Sequence, residues 1–178
     1  MSAHNKRKII NDPVFGFINV PNDFLYDIIQ HPIFQRLQRI KQLGLASFVY
    51  PGAQHTRFQH SLGAMYLTHE AIKQLRQNGQ EITPEEADGV LVAILLHDIG
   101  HGPFSHLFEE ALKVTGNKNH ETIGAEIICK TELNDILSGF GYSAKTISEI
   151  SFGNSKVKFK NEIISPNSKT HGEIFESL

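Results

Sequence analysis

The sequence predicts an all-α protein, a compact helical bundle, and three observations carry the prediction. Apolar residues recur at three- and four-residue spacing through most of the chain, capping residues stand where those stretches begin, and Gly with Asn or Pro stands where they end. In IFQRLQRIKQLG the spacing puts Ile33, Leu37, Ile40 and Leu43 on one stripe of a helix that Gly44 stops. After the Pro51-Gly52 turn, TRFQHSLGAMYLTHEAIKQLRQNG repeats the pattern and closes at Asn78-Gly79, with His60 in its first turns. Thr83-Pro84-Glu85-Glu86 reads as an N-cap, a proline at the first helical position and a capping-box glutamate. GVLVAILLHD is therefore the body of a central helix rather than a buried strand. Gly100, Gly102 and Pro103 break it, LFEEAL restarts a helix, and further helices are expected at about 120–130, 132–139 and 143–151. All-α structure is expected over residues 12–152, with a core over 1–152 and an irregular tail over 153–178.

With 178 residues the chain is expected to form one domain large enough to bury a catalytic pocket. Hydrophobic residues make up 40%, charged residues 20%, and the formal net charge is -2, which gives no dedicated nucleic-acid surface. Lys156, Lys158 and Lys160 read as a solvated face rather than a phosphate groove. A single cysteine, Cys129, excludes an internal disulfide and a multi-cysteine zinc site, and it sits on an apolar helix face suited to packing. Neither a secretory signal nor a membrane span is apparent, because the longest apolar run, Val90 to Leu96, is too short. A cytoplasmic location is expected; a homo-oligomer is left open.

The histidines are the unusual feature: of ten, seven lie between His55 and His120. Adjacent His97 and Asp98 end a buried helix, where the carbonyl ends of the macrodipole favour a cation and both side chains can turn toward one point. Imidazole with carboxylate suits Mn, Fe, Zn, Ni or Co better than a hard all-oxygen Mg or Ca site, although Mg is retained as an alternative. His60, on the preceding helix, is the best third ligand. A His-Asp pair alone more often just caps a helix; the company of His60, His101 and His106, with two glycines and a proline between the last two, shifts the balance. Glycines let a phosphate approach backbone, and two imidazoles near a metal offer a general acid and an anion-stabilising donor. His4, His31, His69 and His171 read as surface or satisfied core residues, and His55 as a residue near Arg57 with a lesser claim on the pocket.

The segments RLQRIKQLG, PGAQHTRFQHSLG and VAILLHDIGHGPFSHLFEE, followed by NHE, resemble the HD-domain deoxynucleoside triphosphate triphosphohydrolases and their bacterial HD phosphohydrolase relatives. The likeness covers roughly residues 12–152 and is densest from 37 to 108. It implies an HD-domain bundle, metal ligands at His60, His97 and Asp98, and a catalytic histidine at His106 oriented by Glu109. It also implies His101 and His120 near the substrate phosphates, Arg57 as a phosphate-contacting arginine, and Gln42, with Leu43 beside it, near the sugar. For Gln42 a solvated helix face is an equal reading. The implied substrate is a nucleotide or another phosphate ester, with no membrane partner. The chemistry of the residues agrees: a Lewis-acidic metal activates water and holds phosphate, an imidazolium protonates the leaving oxygen, and an arginine fork grips phosphate oxygens.

The resemblance also implies a fourth metal ligand, an aspartate far downstream. No aspartate follows Asp135; the later acidic residues are Glu149, Glu162, Glu173 and Glu176. The fourth position is expected to hold water, one of these glutamates or nothing, in a chain that reads as a natural truncation or a fragment. Two functions therefore stand: a metal-dependent phosphohydrolase of nucleotide phosphate esters, and a degenerate metal- or nucleotide-binding regulatory module without turnover. A cyclic-nucleotide phosphodiesterase is a weaker third.

Overall fold

The computed structural model describes residues 8–104, 106–115 and 119–153. Its eight α-helices, counted over those residues, run α1 (Asp23–Gln30), α2 (Pro32–Gln35), α3 (Arg57–Gln77), α4 (Pro84–Leu96), α5 (His106–Thr115), α6 (His120–Lys130), α7 (Glu132–Gly139) and α8 (Ala144–Ser151). None is long and apolar enough to cross a membrane.

The two longest helices begin with reciprocal caps. Thr56 accepts from the Gln59 amide while the Gln59 side chain returns to the Thr56 amide, and Thr83 and Glu86 do the same ahead of α4, with Pro84 at the first position. Helix α4 is buried nearly all round, with Val92, Leu95 and Leu96 fully enclosed, and it packs against α3 and α8. The helices expected at 120–130, 132–139 and 143–151 are α6, α7 and α8, which pack on one another. Cys129 is half-buried against this core, as its apolar setting suggested.

Three features differ from the sequence expectation. The helical bundle is the predicted fold class, but a two-stranded antiparallel hairpin, β1 (Ile9–Asp12) and β2 (Gly16–Asn19), precedes the helices, so the expectation of no sheet over 12–152 fails at its N-terminal edge. Asp12 Oδ1 accepts from the amides of Val14 and Phe15 to close the turn, and Gly16 supplies a φ of 71°. Phe15 then lies against α3 where Gly63 has no Cβ: an added one would sit 2.8 Å from the ring. Helix α1 was not anticipated, although Asn22 caps it and Phe24, Leu25, Ile28 and Ile29 give it a buried stripe.

The expected helix over 33–43 is interrupted. After α2 the chain tightens into a 3₁₀ turn at Arg36–Arg39, and a second follows at Gly44–Phe48. Between them, backbone turns away from helix to pair with the strand-like entry to α3: Arg57 N donates to Ile40 O at 2.9 Å and Gln42 N to His55 O at 3.0 Å. Tertiary pairing overrides the apolar period here. The expected tail over 153–178, with Lys156, Lys158 and Lys160, lies outside the described residues from 154 onward.

Candidate metal and phosphate site

Helices α3 and α4 bring His60 and His97 together across their packed faces. His60 Nε2 and His97 Nε2 lie 3.1 Å apart, and Asp98 supplies Oδ2 at 3.8 Å from the first and Oδ1 at 3.6 Å from the second. His97 Nδ1 contacts the Ile94 carbonyl at 2.6 Å, so it carries the proton and leaves the Nε2 lone pair facing the other two donors. For metal-ligand bonds of about 2.0–2.2 Å, donors around a tetrahedral ion stand roughly 3.3–3.6 Å apart. The three separations, 3.1, 3.6 and 3.8 Å, straddle that range within about 0.2 Å, and His60, His97 and Asp98 come together here as a group that could hold a metal ion.

Asp98 is the hub. It is 5% exposed and accepts from Arg57 Nη1 at 2.6 Å, a pair closed off from solvent on both sides. Burial alone would raise the Asp98 carboxyl, but the neighbouring His97, Arg57 and His101 outweigh it and hold the group below the usual carboxylate range. His60 is pushed down, first by burial, with Asp98 opposing. His101 Nε2 stands 3.4 Å from Asp98 Oδ1; burial and then the Arg57 charge press this imidazole down to about 3, so it is neutral at ordinary pH.

A second cluster adjoins the first. Glu109 Oε1 accepts from His120 Nδ1 in a short contact and from the His120 amide at 3.3 Å, and it lies 3.8 Å from His101 Nδ1. The His101 and His120 rings stack at 4.0 Å with only 14° between planes. Ring lone pairs lie in the ring planes, and parallel planes do not meet, so this stack suits an anion or a proton relay rather than a cation held by both imidazoles. The approach needs glycine: a Cβ at Gly100 would come within 1.9 Å of the His120 carbonyl and 2.5 Å of the Gly124 amide.

The site opens into a cavity of about 680 Å³ whose lining includes Arg57, Asp98, His101 and His120 together with Gln42 and Leu43. Both of these sequence candidates therefore reach the pocket, and Gln42 does so from the paired backbone between the 3₁₀ turns rather than from a helix face. His55 instead lines a separate cavity with Gln59 and His60. Glu109 is seen against His120, whereas the side chain of His106, its expected partner, lies outside the described residues. His31, expected to be a bystander, accepts from the Ile33 amide as the cap of α2. Sequence reasoning missed Arg36, whose guanidinium donates to the carbonyls of Ile99 and His101 and clamps the turn after α4. Nothing in an arginine on an apparent helix marked that role. It also missed Phe104 and Leu107 in the cavity wall, although both lie in the segment carrying the histidines.

This combination of two helix-borne histidines, a helix-end aspartate and an arginine-backed pocket on a helical bundle defines a class of metal-binding helical domain. The profile of the HD domain family matches residues 57–160, and the chain belongs to that family. It is similar to the deoxynucleoside triphosphate triphosphohydrolase SAMHD1 homolog of Dictyostelium discoideum, 38% identical over 90% of this chain and 31% of that protein. Human SAMHD1, described as a deoxynucleoside triphosphate triphosphohydrolase, is 48% identical over 57% of this chain and 16% of its own length. Among solved structures, a phosphohydrolase from Bacteroides thetaiotaomicron superposes with a TM-score of 0.71 at 51% identity, over 85% of this chain and 36% of that one. The chain thus spans about a third or less of the length of these relatives.

Proposed function

We propose that the chain is a metal-dependent phosphohydrolase of nucleotide phosphate esters, with deoxynucleoside triphosphates as the favoured substrate group. The observation that carries this reading is the convergence of His60, His97 and Asp98 at the edge of a pocket whose wall holds Arg57, His101 and His120. His60, His97 and Asp98 would hold a divalent ion of the Mn, Fe, Zn, Ni or Co type, with Mg as the harder alternative. Such an ion supplies Lewis acidity at a phosphoryl oxygen and lowers the pKa of water. The chain's own residues do the rest. Arg57 fixes the Asp98 carboxylate, and the rest of its guanidinium, which lines the cavity, would meet a substrate phosphate. Neutral His101 offers one polarised N–H to an anion. His120, held through Nδ1 by Glu109, keeps its Nε2 for a proton at the leaving oxygen. His106, three residues before Glu109, is the other donor for that proton. Gln42 and Leu43 would contact the sugar. The names of the relatives support the reading.

The test is metal analysis and nucleotide turnover on one preparation of the full chain loaded with Mn. His60→Ala and Asp98→Ala should lose metal and turnover together. Absence of hydrolysis toward every nucleotide and simple phosphate ester would move the balance to the second reading, a module that binds without turnover. One observation favours that second reading: among the described residues the donor set has three members rather than four.

A further inference from the structure

We propose that Phe104 is the aromatic platform on which the base of a nucleotide stacks, and that its backbone strain is retained for this purpose. The inference rests on the phosphohydrolase reading of the same cavity. The lining of that cavity is mixed: Arg57, Asp98, His101 and His120 give it polar and charged groups, while Leu43, Leu45, Phe104 and Leu107 give it apolar ones. These four apolar residues are 46–58% exposed, so none of them is spent on the core. At about 680 Å³ the space takes a whole nucleotide, since small-molecule sites run roughly 300–1,000 Å³.

Phe104 is the one non-glycine residue among those described with positive φ, at 63°. A bulky side chain in that region is disfavoured, and such residues gather where function holds them. The surroundings keep it there: Phe104 O accepts from the Leu107 amide at 3.2 Å, and Gly44, itself at φ 54°, comes so close that a Cβ there would stand 3.2 Å from the same oxygen. The backbone carrying Gln42 and Leu43 is thus seated on the Phe104 loop, which fixes the ring beside the sugar candidates. An exposed ring in a strained conformation adds little to a core. A planar base whose phosphates are gripped by the charged lining of the same cavity gives it a partner, because every base has a π-face to stack.

The experiment exploits the strain. Phe104→Gly removes the ring and at the same time relieves the positive φ, so its melting temperature should equal or exceed that of the wild type. Calorimetric binding on the full, Mn-loaded chain should show a deoxynucleoside triphosphate weakened by roughly 5–150-fold, the usual worth of one base stack, while inorganic tripolyphosphate binds as before. Phe104→Tyr should restore nucleotide binding. Unchanged nucleotide affinity in Phe104→Gly, an equal loss for both ligands, or a lowered melting temperature would each overturn the platform. A wild type that binds tripolyphosphate without preferring the nucleotide overturns it too, and leaves the phosphate site standing. A wild type that binds neither removes both the platform and the phosphohydrolase reading beneath it.

Discussion

Arg57 Nη1 lies 2.6 Å from Asp98 Oδ2, so the carboxylate of the metal-donor set is paired with a buried guanidinium before any cation arrives. Removing one member of a buried ion pair leaves the other uncompensated, at a cost of about 3–5 kcal/mol. Arg57→Ala should therefore lower stability by that order in metal-free protein. A divalent ion that reaches the His60, His97 and Asp98 donors supplies the missing positive charge, so added Mn should raise the melting temperature of Arg57→Ala more than that of the wild type. Thermal melts with chelator and with Mn check this; equal metal-induced shifts would contradict it.

Glu109 and His120 should behave as one unit. Glu109→Gln keeps the shape and loses the charge, and His120→Ala removes the imidazole that Glu109 holds. If the proton passes through His120, each change lowers turnover, His120→Ala by roughly 10²–10⁴, and the double variant is little worse than the more damaging single one. If Glu109 works through His106, Glu109→Gln and His106→Ala form the non-additive pair instead. Turnover of the single and double variants decides between them, and metal content should be unchanged in all.

The helices that carry His60 and His97 were legible because their caps and periods are local: Thr56 with Gln59 and Thr83 with Glu86 are written within four residues of one another. The His97–Asp98 half of the candidate metal site was legible for the same reason, since a His-Asp pair at the end of an apolar helix keeps its place whatever surrounds it. What escaped depends on distant pairing. The Ile40–Gln42 backbone leaves the helical path only because His55 and Arg57 meet it, and the role of Arg36 exists only because the Ile99 and His101 carbonyls turn toward it. The Glu109–His120 contact joins residues across the start of α6, which no spacing rule within α5 indicates.

Gly100 tests how closely the turn after α4 is bound to α6. A Cβ there would meet backbone of His120 and Gly124 rather than the end of a flexible side chain. Gly100→Ala should then cost at least the roughly 1–3 kcal/mol of overpacking and displace His120 from Glu109. Chemical denaturation reads the stability loss, and a variant as stable as the wild type would show that α6 is free to move away.

Tyr142 gives the chain a pH-dependent stability apart from the site. Its phenol, 9% exposed and stacked on Phe24 at 5.1 Å, is pushed up to about 12, first by burial and then by the carboxylates of Asp88 and Glu85. The unfolded phenol ionises near 10, so the folded state is the one that keeps the proton. A raised folded value means that the contribution is intact below pH 10 and is lost progressively as pH climbs from about 10 to about 12. Asp88, half-buried and hydrogen-bonded to both Tyr142 and Asn22, is raised in turn, chiefly by its own desolvation. Tyr142→Phe keeps the ring and removes the hydroxyl. At neutral pH it should be less stable by about 0.5–1.5 kcal/mol, or up to about 3 if the bond to the charged carboxylate counts in full. Between pH 10 and 12 its stability should fall less steeply than that of the wild type, so the two denaturation curves converge. Parallel curves across that window would show that the hydroxyl of Tyr142 does not govern the alkaline limb.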